Sequence, residues 1–207
     1  RVFASQYVFV SASLGLAQLL GVAVKTDKGI EQRVHPTMVR KDSAIAQVMD
    51  VTNAVTIDAE GIAPITLVGP GAGGMATASA VVSDIADIAR GRGAAPFGRA
   101  TSKLTTSRKA PMQRHEGGYY IRLLAVDKPG TAATIAKRLA QQHISIESIV
   151  QRHRGPQGGD DPKRPAPVPV ILITYATTED AVRKALAAVK RDKVISGAPQ
   201  LIRIEKN

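Results

Sequence analysis

At 207 residues the chain has room for two modest domains or one larger one. It is 44% hydrophobic and 22% charged, ordinary for a soluble globular protein, and the lack of Cys excludes disulfides and thiolate metal sites, as suits a reducing cytoplasm. The formal charge of +11 raises nucleic-acid binding, but the basic run from Arg90 to Arg114 has only Phe97 for a base to stack on, so a solvated basic linker is preferred.

The opening stretch from Val2 to Leu20 is moderately apolar, but Ser5, Gln6, Ser11, Ser13 and Gln18 interrupt it. A membrane-spanning helix needs roughly 20 mostly apolar residues, so a membrane reading is disfavoured. Arg1 alone could head a signal peptide, and no cleavage site is clear. Leu19 to Thr26 is apolar and β-rich, Asp27-Lys28-Gly29 turns, and Ile30 to Val34 returns as a hairpin. Ser43 is placed to cap a short helix to about Met49. Asn53 to Asp58 and Ala63 to Val68 read as strands joined at Glu60-Gly61. A glycine-rich turn then opens a helix to about Arg90, with Ala78, Val81, Ile85 and Ile88 on one face.

Residues 91–117 show neither helical nor strand periodicity and read as an interdomain linker. Beyond them Tyr119 to Val126 is a strand, Asp127-Lys128-Pro129-Gly130 a turn, and Thr131 to Gln142 a helix on Ile135 and Leu139. Ile144 to Arg152 alternates as a strand, with Ile144 and Ile146 inward and Ile149 a further candidate. Gly155 to Pro167, rich in Pro, Gly and charge, is a loop, and Val168 to Ala176 a third strand. Thr177 to Asp180 has the Thr-x-x-Asp form of a capping box, opening a helix to about Arg191 on Val182, Leu186 and Val189. Gln200 to Glu205 closes a β-α-β-β-α-β order, the split ferredoxin-like pattern. The fold class is α+β.

Two turns could carry chemistry. Gly69-Pro70-Gly71-Ala72-Gly73-Gly74 satisfies G-x-G-x-x-G between a strand and a helix, where free N–H groups suit phosphate. As a dinucleotide fingerprint it is weak: no second parallel strand with an acid at its end follows, and Asp84 and Asp87 lie within the helix. Three readings stay open: a complete dinucleotide domain, a turn that only packs closely on its sheet, and a loop contributing to a nucleotide site built elsewhere. Asp127 to Thr131 is the second candidate, where an amino acid's carboxylate could meet helix N–H groups and its ammonium Asp127. An ordinary strand-to-helix turn is the plainer reading.

His35, His115, His143 and His153 are neither paired at helical spacing nor backed by nearby acids, so no metal site is expected. His35, before Pro36, reads as structural or interfacial rather than as a general base. No G-x-S-x-G nucleophile motif occurs, and no catalytic set can be assembled from these residues.

Several uncommon blocks nonetheless occur in order. Leu19-Leu20-Gly21-Val22-Ala23, Val34-His35-Pro36-Thr37, Asn53-Ala54-Val55, Gly69 to Gly73, Thr77-Ala78, Val81 to Asp84 and the ending Asp84 to Arg90 resemble the substrate domain of homoserine dehydrogenases. Residues 118–207 resemble an ACT domain. The resemblance divides the chain into an atypical segment 1–13, the carboxy-terminal portion of the substrate domain at 14–92, a basic linker at 93–117 and a regulatory ACT domain at 118–207. It implies a cytoplasmic enzyme interconverting L-homoserine and L-aspartate 4-semialdehyde with NAD(P), on the way to threonine, methionine and isoleucine.

In such an enzyme the glycine turn approaches the nicotinamide cofactor, with Gly71 the first contact and Gly69 and Gly73 beside it. The ACT domain pairs with another and binds an effector amino acid, threonine first, through Asp127, Gly130 and Thr131 and, from the facing strand, Ile144, Ser145 and Ile146. Homo-oligomers would form through the substrate-domain sheet and the ACT domains. The family's Rossmann domain, catalytic lysine and substrate-holding acids have no counterpart here, and Lys25, Lys28 and Lys41 do not match the lysine's segment. The chain by itself is therefore expected to lack turnover and to hold NAD(P) weakly. A non-catalytic ACT-type amino-acid sensor is the alternative.

Overall fold

The computed structural model describes residues 2–12, 15–93, 95, 98–106, 108–110, 116–151 and 167–205. They fall into two compact units. The Gly155 to Pro167 loop lies outside the described residues except for Pro167.

The first unit takes residues 1–10, 18–35 and 41–113. Its strands are β1 (Val2–Ala12), β2 (Gly15–Thr26), β3 (Gly29–Val39), β4 (Thr52–Ile57) and β5 (Ile65–Pro70), ordered β5-β4-β1-β2-β3. The opening segment, for which the sequence offered no element, pairs antiparallel with β4 from Val2 opposite Ile57 to Ser5 opposite Ala54. The β2–β3 turn is tied by Thr26, whose hydroxyl donates to the Gly29 carbonyl at 2.9 Å and accepts from the Lys28 N–H. Gly29 sits at φ +129°, and its neighbour Ile30 exchanges backbone hydrogen bonds with Arg108 and Ala110 at 2.9 and 3.0 Å. The basic stretch is thereby held against this hairpin at its far end.

The helix expected after Ser43 is only a 3₁₀ turn, Ala44–Gln47, and Ser43 at its start makes no capping hydrogen bond. A single tight turn suffices because the buried amide of Gln18 donates to the Ile45 carbonyl at 2.8 Å and holds it from outside. Leu20, Val22, Ile45, Ala46, Val48 and Ala54 are buried. The helix α1 (Gly74–Ala89) forms where its periodicity predicts, yet none of its residues is buried.

The second unit takes residues 11–17, 36–40 and 114–207. Its elements are β6 (Glu116–Ala125), α2 (Thr131–Ala140), β7 (Ile146–Gln151), β8 (Val168–Thr174), the short β9 (Thr177–Thr178), α3 (Glu179–Arg191) and β10 (Ile195–Ile204). The order β10-β6-β8-β7 is antiparallel throughout, as the split βαβ pattern requires. Thr37 and Met38, at the end of β3, pair in parallel with Arg203 and Ile204. The sheet is therefore mixed.

Both helices cover one face of that sheet. Ile135 and Leu139 of α2 and Val182, Leu186 and Val189 of α3 pack on Tyr119, Ile121, Leu123, Val170 and Leu172. Ile144 joins this core and Ile146 packs against it, while Ile149 stands opposite the core residue Leu172 but is about half exposed on the edge strand β7. Strict alternation from Ile144 and Ile146 would turn Ser148 inward; the register shift between Ile146 and Ser148 instead sets Ile149 opposite Leu172. Arg138 of α2 donates two hydrogen bonds of 2.7 Å to Asp192, just past α3. Those bonds hold the Asp192 carboxyl below its ordinary range and raise the arginine.

The cap of α3 is displaced by one residue from the sequence reading. Thr178, not Thr177, accepts from the Ala181 N–H at 3.3 Å, because Thr177 and Thr178 first pair with Gly117 and Glu116. Thr178→Ala should lower unfolding stability by about 1 kcal/mol, the usual worth of such a cap. The check is a shifted urea midpoint at unchanged m-value.

Candidate effector site and the glycine turn

Strand β6 ends at Ala125, and the chain reverses through Lys128-Pro129-Gly130 into α2. Proline fixes the turn's second corner, and Gly130 takes φ +87°, a left-handed conformation that favours glycine. Its carbonyl accepts from both the N–H and the hydroxyl of Thr134, and Thr131 N–H donates to the Lys128 carbonyl. No side chain caps α2, so the first-turn amides of Ala132 and Ala133 have no partner within the helix.

A cavity of about 90 Å³ opens beside this turn. That is several times the roughly 10–15 Å³ one water needs. Asp127, Gly130 and Thr131 all line it, so the structure brings these three expected residues together. Ile144, Ser145 and Ile146 do not line it: Ile144 is core, and the exposed Ser145 accepts from Tyr175 N–H through its carbonyl. The opposite wall is instead made by Gln151, Val168 and Val170, with Ile135 beneath. Gln151 arrives because it stands opposite Val170 in the β7–β8 register. Only that register could have announced it. The cavity offers unpaired helix amides and a carboxylate at its rim and apolar walls inside, an arrangement suited to a zwitterion with a small side chain.

The glycine turn lies in the first unit. Strand β5 pairs antiparallel with β4, with Gly69 opposite Asn53, so strand, turn and helix here are not a parallel βαβ unit. Gly71 N–H donates to the Val51 carbonyl at 2.8 Å. A Cβ on Gly71 would come within 2.1 Å of the Asn53 side-chain nitrogen, so that carboxamide occupies the space a larger residue would need. Gly73 precedes α1 at φ +121° without a side-chain cap, and Gly71 and Gly73 are exposed. The result is an exposed turn with free amides at the helix start, a surface of the kind that suits an anion.

His35 is buried on β3 and its Nε2 accepts from the Arg33 Nε at 3.0 Å, while Arg33 also pairs with the buried Glu31 at 2.8 Å. His143 is exposed, and His115 and His153 lie outside the described residues. Among the described residues no cluster of three metal-binding side chains occurs, and no helix is long and apolar enough to cross a membrane.

Comparison with known proteins accounts for both units. The homoserine dehydrogenase family model matches residues 9–86 and the ACT domain model residues 119–192. The chain is 36% identical to the homoserine dehydrogenase of Pseudomonas aeruginosa over 90% of its own length and 43% of that protein's. It is also 36% identical to that of Neisseria gonorrhoeae, over 91% and 43%. A crystal structure of a homoserine dehydrogenase from Thiobacillus denitrificans superposes with a TM-score of 0.73 at 34% identity, covering 93% of this chain and 43% of that one. The chain thus spans less than half the length of the curated relatives it matches. It belongs to the homoserine dehydrogenase family, spanning the carboxy-terminal region with its ACT domain.

Proposed function

We propose that this chain is the regulatory end of a homoserine dehydrogenase and that its ACT domain binds an effector amino acid, threonine first, at the Asp127 to Thr131 turn. The observation that carries the reading is the cavity that unites Asp127, Gly130 and Thr131 with Ala132, at the uncapped start of α2. The effector's carboxylate would sit on the first-turn amides, its ammonium near Asp127, and its side chain against Val168 and Val170. Ile144, Ser145 and Ile146 enter this reading only if a second ACT domain presents them.

In the same reading Gly69, Gly71 and Gly73 would face the nicotinamide of NAD(P), which would supply hydride exchange between L-homoserine and L-aspartate 4-semialdehyde. Gly71 and Gly73 are exposed and would leave room for that ring, and Asn53 fills the space that a side chain at position 71 would need. The chain's own part is to shape that wall. We place the catalytic lysine and the acids that hold substrate outside these residues, so that this chain alone does not turn over substrate. Assembly as a homo-oligomer, a cytoplasmic location and a linker role for residues 93–117 complete the proposal.

Residue-resolved NMR tests the site. Added threonine should shift the amide signals of Ala132 and Ala133 before those elsewhere. Saturation with no change in the first turn of α2 would overturn the assignment.

A further inference from the structure

The two helices of the ACT unit enclose a groove of about 720 Å³ that the effector reading leaves unused. Its size falls within the roughly 300–1,000 Å³ of small-ligand sites. Arg138, Gln141 and Gln142 line it from the α2 side, and Lys184, Lys190 and Arg191 from α3. Ala187 and Ala188 stand between the α3 cations, three and four residues after Lys184, and their small side chains leave the groove open. Among the described residues no carboxylate lines it. Arg138 is matched by Asp192, and it also donates to the Gln141 side-chain oxygen at 3.0 Å, which leaves the Gln141 amide nitrogen to donate in turn. Lys184, Lys190 and Arg191 are exposed and make no ion pair among the described residues. Arg183, on the same helix, reaches back one turn to Glu179, whereas the positions one turn before Lys190 and Arg191 hold Leu186, Ala187 and Ala188.

We propose that this groove binds a phosphoryl chain, the di- or triphosphate part of a small anion. A cleft walled by one sign of charge concentrates counter-ions, and here unpaired cations share one cleft. Cations at a helix C-terminus offset the macrodipole, which accounts for Lys190 and Arg191 but not for Lys184 in the middle of α3. Lys184 and Arg191 are seven residues apart, about 10 Å along the helix, so they meet successive groups of an elongated anion better than one orthophosphate. Arg191 has its guanidinium fork for a phosphoryl oxygen pair and Lys184 supplies a point charge, with Gln141 and Gln142 donating from the opposite side. A nucleic acid is disfavoured, because no aromatic side chain lines the groove for a base to stack on. No residue lines both this groove and the Asp127 to Thr131 cavity, so the inference stands apart from the effector reading.

The test is calorimetric titration of the whole chain with sodium tripolyphosphate, orthophosphate and ATP. Tripolyphosphate should bind one to one, about tenfold more tightly than orthophosphate, and weaken as salt is added. Lys184→Ala combined with Arg191→Ala should weaken it by about tenfold or more, through loss of two charge-assisted contacts. Both side chains are exposed, so this double variant should keep the parent's circular dichroism and melting. Removing two cations of the basic stretch instead, Arg99→Ala with Lys103→Ala, should leave the affinity unchanged. By NMR the amide signals of Gln141, Gln142 and Lys184 to Arg191 should shift ahead of those elsewhere. ATP bound as tightly as tripolyphosphate, or more tightly, identifies a nucleotide as the source of the phosphoryl chain, and weaker ATP binding a free polyphosphate; each supports the site. The proposal is overturned by absence of saturable binding, by equal affinity for orthophosphate and tripolyphosphate, by an equal loss in the two double variants, or by shifts that spare α3.

Discussion

Gly29→Ala is expected to destabilise the first unit by about 3 kcal/mol. The glycine sits at φ +129°, where an L side chain is strained by roughly 1–3 kcal/mol. The added Cβ would also stand 2.1 Å from the Arg108 carbonyl oxygen, and a backbone atom cannot swing aside as a side chain can. Relief requires residues 108–110 to leave the hairpin, which breaks the two Ile30 backbone bonds at about 1 kcal/mol each. The denaturant midpoint should fall, and trypsin should cut faster after Arg108 and Lys109. Unchanged midpoint and cleavage would mean that the basic stretch is not held by this contact.

Glu179→Ala should destabilise the ACT unit by about 2–3 kcal/mol, the low end for removing one partner of a shielded ion pair, since Arg183 keeps much of its solvent. Glu179 opens α3 and accepts from Arg183 through one carboxylate oxygen and from Arg203 of β10 through the other. Burial pushes its carboxyl upward, but the hydrogen bonds and charges of the two arginines outweigh that, and the net shift is downward. The depressed value fixes the sign of the pH dependence. The contribution is complete above the unfolded glutamate pKa of about 4.3 and is lost as pH falls through the lower folded value. Stability of the parent should therefore drop below about pH 4 more steeply than that of Glu179→Ala. Parallel acid profiles would remove Glu179 from this role. Tyr119 lies beside the pair, and burial first, then the Glu179 charge, raises its phenol, so the hydroxyl stays protonated across this range.

Element types were legible wherever one periodicity ruled. The apolar spacings of α2 and α3 located both helices, and the strand pattern located the ferredoxin-like order. What periodicity could not show is what a face meets. Val81, Ile85 and Ile88 were grouped correctly, but their exposure depends on the packing around α1, which spacing does not encode. Local chemistry was overridden where a longer-range contact competed. Thr177 and Thr178 both pair with β6 and the cap falls to Thr178, while Gln18 donates from a distance to the Ile45 carbonyl of the turn that Ser43 does not cap. In the candidate site, the turn was readable from Pro129 and Gly130, whereas Gln151 and Val170 reach it only through the β7–β8 register.

Isothermal titration of the whole chain tests the effector site at Asp127 to Thr131 most directly. Threonine, methionine, isoleucine and homoserine would be titrated in parallel, with oligomeric state followed by light scattering. Saturable threonine binding is expected, stronger than for the other three, and weakened by about tenfold or more in Asp127→Ala through loss of a charge-assisted contact. A folded chain that binds none of the four, or binds threonine equally well with Asp127→Ala, would contradict it.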